Sequence, residues 1–172
     1  AFNILNAGRF KLGAGAIGLT AAKVSEAEVI SEPEQDVLLA YPPVGKFRAD
    51  RLAELARSRT VRAAVDSPLG VEIMSAAAQQ AKTTVGLLVD VDVGMGRTGV
   101  QTPEESLALA QAIDQAPNVR LDGIMIYPGH VWETPDKQFD ALTAVGKKLE
   151  LVLDLWARHG LPAAIVSGGS TP

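Results

Sequence analysis

Cysteine is absent from this sequence, so disulfides and thiolate metal sites are excluded. Histidine is nearly absent: His130 and His159 are the only two, too few for a multi-histidine metal site within the chain. There is no excess of positive charge. The net charge is −4, which leaves no polybasic footprint for nucleic acid or an anionic membrane. No apolar run approaches the roughly 18 residues needed for a membrane span, and no signal-peptide pattern opens the chain. Together with the missing cysteines, these features point to a cytoplasmic setting.

What is present is apolar material in quantity. Hydrophobic residues are 47% of 172, enough for one sizeable core. The densest stretch is TVGLLVDVDVGMGRTGV, residues 84–100. Val85, Leu87, Leu88, Val89, Val91 and Val93 form a near-continuous run, as expected of a parallel strand covered on both faces. Asp90 and Asp92 interrupt it near its end. Gly94-Met95-Gly96-Arg97-Thr98-Gly99 then makes a turn that lets backbone approach a ligand closely and returns one guanidinium toward it.

Around this strand the chain alternates. Strands are expected at Ala16–Ala21, Asp36–Tyr41, Thr60–Val65, Val119–Tyr127 and Pro162–Val166. Helices are expected weakly over Ala1–Leu12, and at Ser25–Ser31, Arg48–Arg57 and Ser67 to about Ala81. Another opens at Thr102-Pro103, and a long one starts at Thr134-Pro135 and stops at Gly160. Ser67-Pro68, Thr102-Pro103 and Thr134-Pro135 each read as a cap followed by proline in the first turn, and Glu105 can close a capping box. In the long helix, Phe139, Leu142, Leu149, Val152, Leu153 and Trp156 recur at core spacing. Strand–helix alternation with short loops implies a parallel sheet with helical crossovers. Either a (β/α)₈ barrel or an open doubly wound sheet satisfies it. A repeat of roughly 25–30 residues favours a barrel lacking its first and last strands, since eight units take about 250 residues. The opening without methionine, inside a helix pattern, and the ending on Ser-Thr-Pro read as those of an internal piece of a longer protein.

Chemistry in such folds gathers where strands end. The terminal Ser167-Gly168-Gly169-Ser170-Thr171-Pro172 is the best anion site: glycines expose amides, serines add hydroxyls, and Thr171-Pro172 resembles a helix start. A solvated turn is the plainer reading. Arg97 can meet an anionic or phenolic oxygen, or form a salt bridge to Asp90 or Asp92. Tyr127 offers a ring and a hydroxyl, and His130 an acid or base near neutral pH, although a lone loop histidine is more often structural. Asp66, Tyr41 and Lys23 also lie near strand ends. Lys23 is a lysine that could attack a carbonyl, but a solvated lysine opening a helix explains it better. His159 reads as a cation at a helix terminus, Trp156 as core, and Trp132 as part of a lid or interface.

Several stretches carry a resemblance. VDVGMGRTGV (residues 91–100), GAGAIGLTAAKVSEAEV (13–29), DVLLAYPPVG (36–45), VDSPLGVE (65–72), DGIMIYPGHV (122–131) and VSGGSTP (166–172) span nearly the whole chain. They resemble, in order, the fold-type III pyridoxal phosphate (PLP) enzymes, the alanine racemase-like barrels, and most closely their D-threonine aldolase and D-serine dehydratase branch. The resemblance implies a (β/α)₈ TIM barrel of the alanine racemase N-terminal type, with PLP at its mouth. It implies Arg97 beside the phenolic oxygen and Tyr127 near the pyridine ring. Ser167, Gly168, Gly169, Ser170 and Thr171 would lie on the phosphate, and His130 matches the Gly-His of that branch. The family's Schiff-base lysine would fall just before Ala1, and neither Lys11 nor Lys23 occupies its place. A divalent metal would come from a C-terminal β domain after Pro172. The implied activity is that of a lyase acting on D-amino acids with a β-hydroxyl, by retro-aldol cleavage or by elimination, in a homodimer. The fragment alone would be inactive. The alternatives are a PLP-binding protein without turnover, an amino-acid racemase, and a phosphate-binding barrel enzyme that uses no PLP.

Overall fold

Every residue of β4 (Val85–Val91) is buried, the consequence of having cover on both faces. Val85, Leu87, Val89 and Val91 join the large core under the helices. Leu88 points the other way, into a small cluster with Leu38, Ala64 and Met125. A two-residue period therefore divides the strand between an outer and an inner face.

This computed structural model describes residues 11–31 and 35–170. Its elements alternate: β1 (Leu19–Ala21), α1 (Val24–Ile30), β2 (Asp36–Leu39), α2 (Lys46–Leu55), β3 (Thr60–Val65), α3 (Pro68–Ala81) and β4. They continue with α4 (Pro103–Gln115), β5 (Val119–Ile126), α5 (Phe139–Arg158) and β6 (Ile165–Gly168). The six strands form one parallel sheet in sequence order, β1 to β6. A doubly wound sheet would reverse direction from its middle strands. The unreversed order instead gives the curled wall of an incomplete (β/α)₈ barrel. Helices cover its outside, where Trp156 is fully buried and donates Nε1–H to Ser106 Oγ at 3.1 Å.

Two helix starts follow the sequence closely. Ser67 Oγ accepts from Gly70 N at the head of α3. At α4, Thr102 Oγ1 accepts from Glu105 N at 3.1 Å, while Glu105 Oε2 accepts from Thr102 N at 3.3 Å. Such a cap contributes about 1 kcal/mol.

Three expectations need correction. Thr134-Pro135 opens only a 3₁₀ turn over Pro135–Lys137, closed by Lys137 N donating to Thr134 O at 2.8 Å. A proline-led start suits a 3₁₀ turn as well as a helix, and α5 begins afterwards, at Phe139, with no side-chain cap. Phe139 and Leu142 leave the core stripe and are exposed. The 20-residue α5 is some 30 Å long, longer than the strands it covers, so its first turns overhang. The last strand is Ile165–Gly168, later than expected. Its pairing starts at Gly123, where a β-carbon would lie 1.9 Å from Ile165 O, so close approach is possible only there. The helix expected over residues 1–12 lies outside the described residues except for its end, and Thr171-Pro172 lies wholly outside them.

The inner face is layered. At the amino end of the strands Arg62 reaches Asp36 on β2 and Asp122 on β5 (2.7 Å), and Arg120 Nε closes on Asp122 at 2.5 Å. The apolar cluster of Leu38, Ala64, Leu88 and Met125 lies above this charged layer. The carboxyl ends beyond it hold the site. No helix among the described residues is long and apolar enough to cross a membrane.

Candidate functional site

Because all six strands run the same way, their carboxyl ends share one rim. Lys23, Tyr41 and Asp66 follow β1, β2 and β3. Asp90 lies near the end of β4 and Asp92 to Arg97 follow it, Tyr127 to His130 follow β5, and Ser167 and Gly168 end β6, with Gly169 and Ser170 after it.

The turn after β4 is built around Asp92. Its Oδ1 accepts from the amides of Gly94 (2.9 Å), Met95 (2.9 Å) and Gly96 (3.1 Å), and its Oδ2 accepts again from Gly96 (3.0 Å). Burial pushes this carboxyl up, but the amides of Gly94, Gly96 and Met95 and the Gln101 side chain outweigh it and hold it below the ordinary range. A bridge from Val91 to Val100 closes the loop. Gly94 has φ +125°, and a β-carbon there would sit 2.9 Å from His130 Nε2. Glycine thus meets both the backbone and the packing requirement.

This turn presents Arg97. Its guanidinium carbon lies 4.6 Å from the centre of the Tyr127 ring and 5.7 Å from that of Tyr41. Each contact is worth about 0.5–1 kcal/mol at an exposed site. The salt bridge to Asp90 or Asp92 does not form. Among the described residues Arg97 has no carboxylate within ion-pair distance, and the oxygens of Asp92 are occupied by amides. An exposed cation flanked by two rings and free of an acid is ready for an external anionic oxygen.

Two buried polar atoms on residues of this rim have no hydrogen-bond partner among the described residues: Asp90 Oδ2 and His130 Nδ1. Asp90 is 3% exposed. Burial pushes its carboxyl up to about 6, an effect opposed by the nearby Thr98 hydroxyl and the charge of Arg97 and reinforced by the negative charges of Asp66 and Asp92. Sequence reading treated Asp90 only as a salt-bridge partner for Arg97. Its signal was parity: it shares the inward face with Leu88 and is the acid that follows it on that face.

Of the anion-site residues, Ser167 and Gly168 belong to β6, paired with Met125 and Ile126. Gly169 has φ +145°, with open space where a side chain would be. Ser170 Oγ donates to Pro128 O at 3.3 Å, tying this turn to the Tyr127–His130 loop. Thr171 lies outside the described residues. The structure therefore brings Arg97, Tyr127, His130 and Ser167–Ser170 to one rim and adds Tyr41 and Asp90.

The remaining candidates separate. Lys23 is exposed and caps α1, where Glu26 Oε2 accepts from its amide at 3.2 Å. His159 ends α5 with Nδ1 2.9 Å from Leu155 O. Trp132 is 74% exposed. No three His, Asp or Glu side chains gather as a metal site among the described residues.

Comparison with known proteins agrees with this architecture. Residues 2–172 match the model of the alanine racemase N-terminal domain. The chain is 36% identical over 162 residues to 3-hydroxy-D-aspartate aldolase of Paracoccus denitrificans (strain Pd 1222), covering 91% of this chain and 42% of that protein. It is 30% identical over 164 residues to D-threonine aldolase of an Arthrobacter species, covering 94% and 43%. The crystal structure of D-threonine aldolase from Filomicrobium marinum superposes with a TM-score of 0.89 at 27% identity, covering 95% of this chain and 45% of that one. The chain thus spans less than half the length of these relatives. Its parallel order, its inward-facing layers and its match over residues 2–172 make it a member of the alanine racemase N-terminal domain family.

Proposed function

We propose that this chain forms the cofactor-holding wall of a PLP-dependent lyase that acts on D-amino acids bearing a β-hydroxyl. The observation that carries the reading is Arg97, which has no acidic partner among the described residues and is flanked by Tyr41 and Tyr127 on the rim where β6 ends in serine and glycine. The names of the relatives, both aldolases of D-configured hydroxy amino acids, support the substrate class.

The residues present fit PLP. Arg97 offers its guanidinium to the phenolic oxygen. Tyr127 sits against that cation and bounds the ring site. Ser167, Gly168, Gly169 and Ser170, with Thr171 next in sequence, supply hydroxyls and amides without bulk for the phosphate. When bound, PLP supplies an electron sink for breaking bonds at the substrate's α-carbon. His130 can hold or move a proton at Nδ1, which has no competing partner. The reactive lysine, the divalent metal and the homodimer contacts belong, in this reading, to the rest of the protein.

The test uses the intact protein. Borohydride reduction followed by peptide mass spectrometry is expected to find pyridoxyl-lysine immediately before Ala1. Incubation with D-threonine is expected to release glycine and acetaldehyde. Replacing Arg97 with alanine should reduce PLP affinity by tenfold or more. No label, no near-visible absorbance and unchanged binding in Arg97→Ala would overturn the proposal.

A further inference from the structure

Sulfur is scarce in this chain, and only one residue brings it to solvent. There is no cysteine, and of the three methionines Met74 and Met125 are buried, while Met95 is 37% exposed. Met95 belongs to the turn that presents Arg97, and its amide donates to Asp92 Oδ1 at 2.9 Å. Its side chain has a fixed seat as well. A β-carbon on Gly129 would lie 2.9 Å from Met95 Sδ and closer still to Tyr127 Cε1. The thioether and the edge of the Tyr127 ring therefore pack together over that glycine, a contact that suits a polarizable sulfur. The face of the same ring carries the Arg97 guanidinium. Met95, Arg97, Thr98 and Tyr127 also line one gap of about 10 Å³, room for about one oxygen-sized atom.

Oxidation of methionine follows exposure, and it turns an apolar sulfur into a polar sulfoxide. Hydrogen peroxide balances the step. Its O–O bond breaks, the sulfur gives up two electrons and gains one oxygen, and the other oxygen leaves as water with both protons. The Gly129 side of the sulfur is already filled, so the new oxygen has the gap beside Arg97. There it is an acceptor for a guanidinium that no carboxylate holds among the described residues. We propose that Met95 is a modification site: peroxide oxidises it in preference to the other two methionines, and its sulfoxide oxygen occupies the Arg97 guanidinium. Resting on the cofactor reading above, the occupied cation no longer meets the ligand's acidic oxygen. Binding is then weakened until a methionine sulfoxide reductase, supplied with electrons by a dithiol, removes the oxygen as water.

The intact protein, dialysed free of small molecules, is treated with hydrogen peroxide. Peptide mass spectrometry should find Met95 gaining oxygen about tenfold faster than Met74 and Met125; equal rates overturn the proposal. A second readout needs no ligand. Exchange of the Arg97 Nε–H, followed by NMR on ¹⁵N-arginine protein, should slow about tenfold on oxidation, the effect of one added hydrogen bond, and recover after reductase treatment. An unchanged rate also overturns it. The binding probe is pyridoxine 5′-phosphate, which has the phenol and the phosphate but no aldehyde, so its binding does not require the reactive lysine. By calorimetry, its Kd should rise about tenfold on oxidation of wild type. In Met95→Leu, which keeps the turn amide and a similar volume, treated and untreated protein should bind alike. Equal weakening in Met95→Leu assigns the loss to another residue and overturns the proposal. Failure of untreated wild type to bind the probe would sink the cofactor reading, while the oxidation rate and the Arg97 exchange would still decide the role of Met95.

Discussion

Nε2 of His130 lies 2.9 Å from the point where Gly94 would carry a β-carbon. The two loops that follow β4 and β5 are therefore fitted to each other through a missing side chain.

This fit predicts a cost for Gly94→Ala. The backbone at φ +125° resists any side chain, and the imidazole must move as well. A loss of about 1–3 kcal/mol in urea unfolding is expected. Because the same turn carries Arg97, the proposed PLP affinity of the intact protein should fall with it. Unchanged stability together with unchanged affinity would show that the loops are not coupled.

Asp92 fastens that turn by accepting from three amides. Asp92→Ala leaves them without an acceptor and should cost about 2–3 kcal/mol. Because folding lowers this carboxyl, its contribution is present above the ordinary carboxylate range and is lost as pH falls through the depressed folded value. The stability gap between wild type and Asp92→Ala should thus narrow on acidification, as followed by thermal melts from pH 7 to pH 3. A gap independent of pH would mean that the charge plays no part.

Asp90 has the opposite sign. Its carboxyl is raised to about 6 in the folded protein, so its burden is absent below the unfolded value, grows across roughly pH 4–6, and stays constant above. Asp90→Asn should therefore be about 1–2 kcal/mol more stable than wild type at pH 8 and about equal to it near pH 4. A destabilised variant at pH 8 would contradict the raised value. Stability given up for a function is the usual pattern at such sites.

Much of this was legible in residues alone. The all-buried β4 was visible as six apolar residues in a nine-residue run, and the heads of α3 and α4 were visible because serine or threonine before proline has a local physical meaning. Thr134-Pro135 misled because those same two residues serve a 3₁₀ turn equally well, and only the following backbone decides between them. The late start of β6 depended on Gly123, 42 residues before Ile165, and no local pattern carries that. Arg97, Tyr127 and the serine-glycine end were found because strand ends concentrate chemistry. The pairing of Arg97 with Tyr41 was hidden, since it depends on how far the sheet curls.

That curl has a consequence at both rims. Arg62, on β3, ties Asp36 of β2 to Asp122 of β5 at the lower rim. Arg97, beyond β4, lies between Tyr41 after β2 and Tyr127 after β5 at the upper one. In a flat sheet these two strands would stand about 14 Å apart, too far for one side chain to serve both. Each arginine is a chord drawn across the same arc. The width of the upper rim and the curvature of the wall are thus a single variable, set at one end by carboxylates and reported at the other by rings.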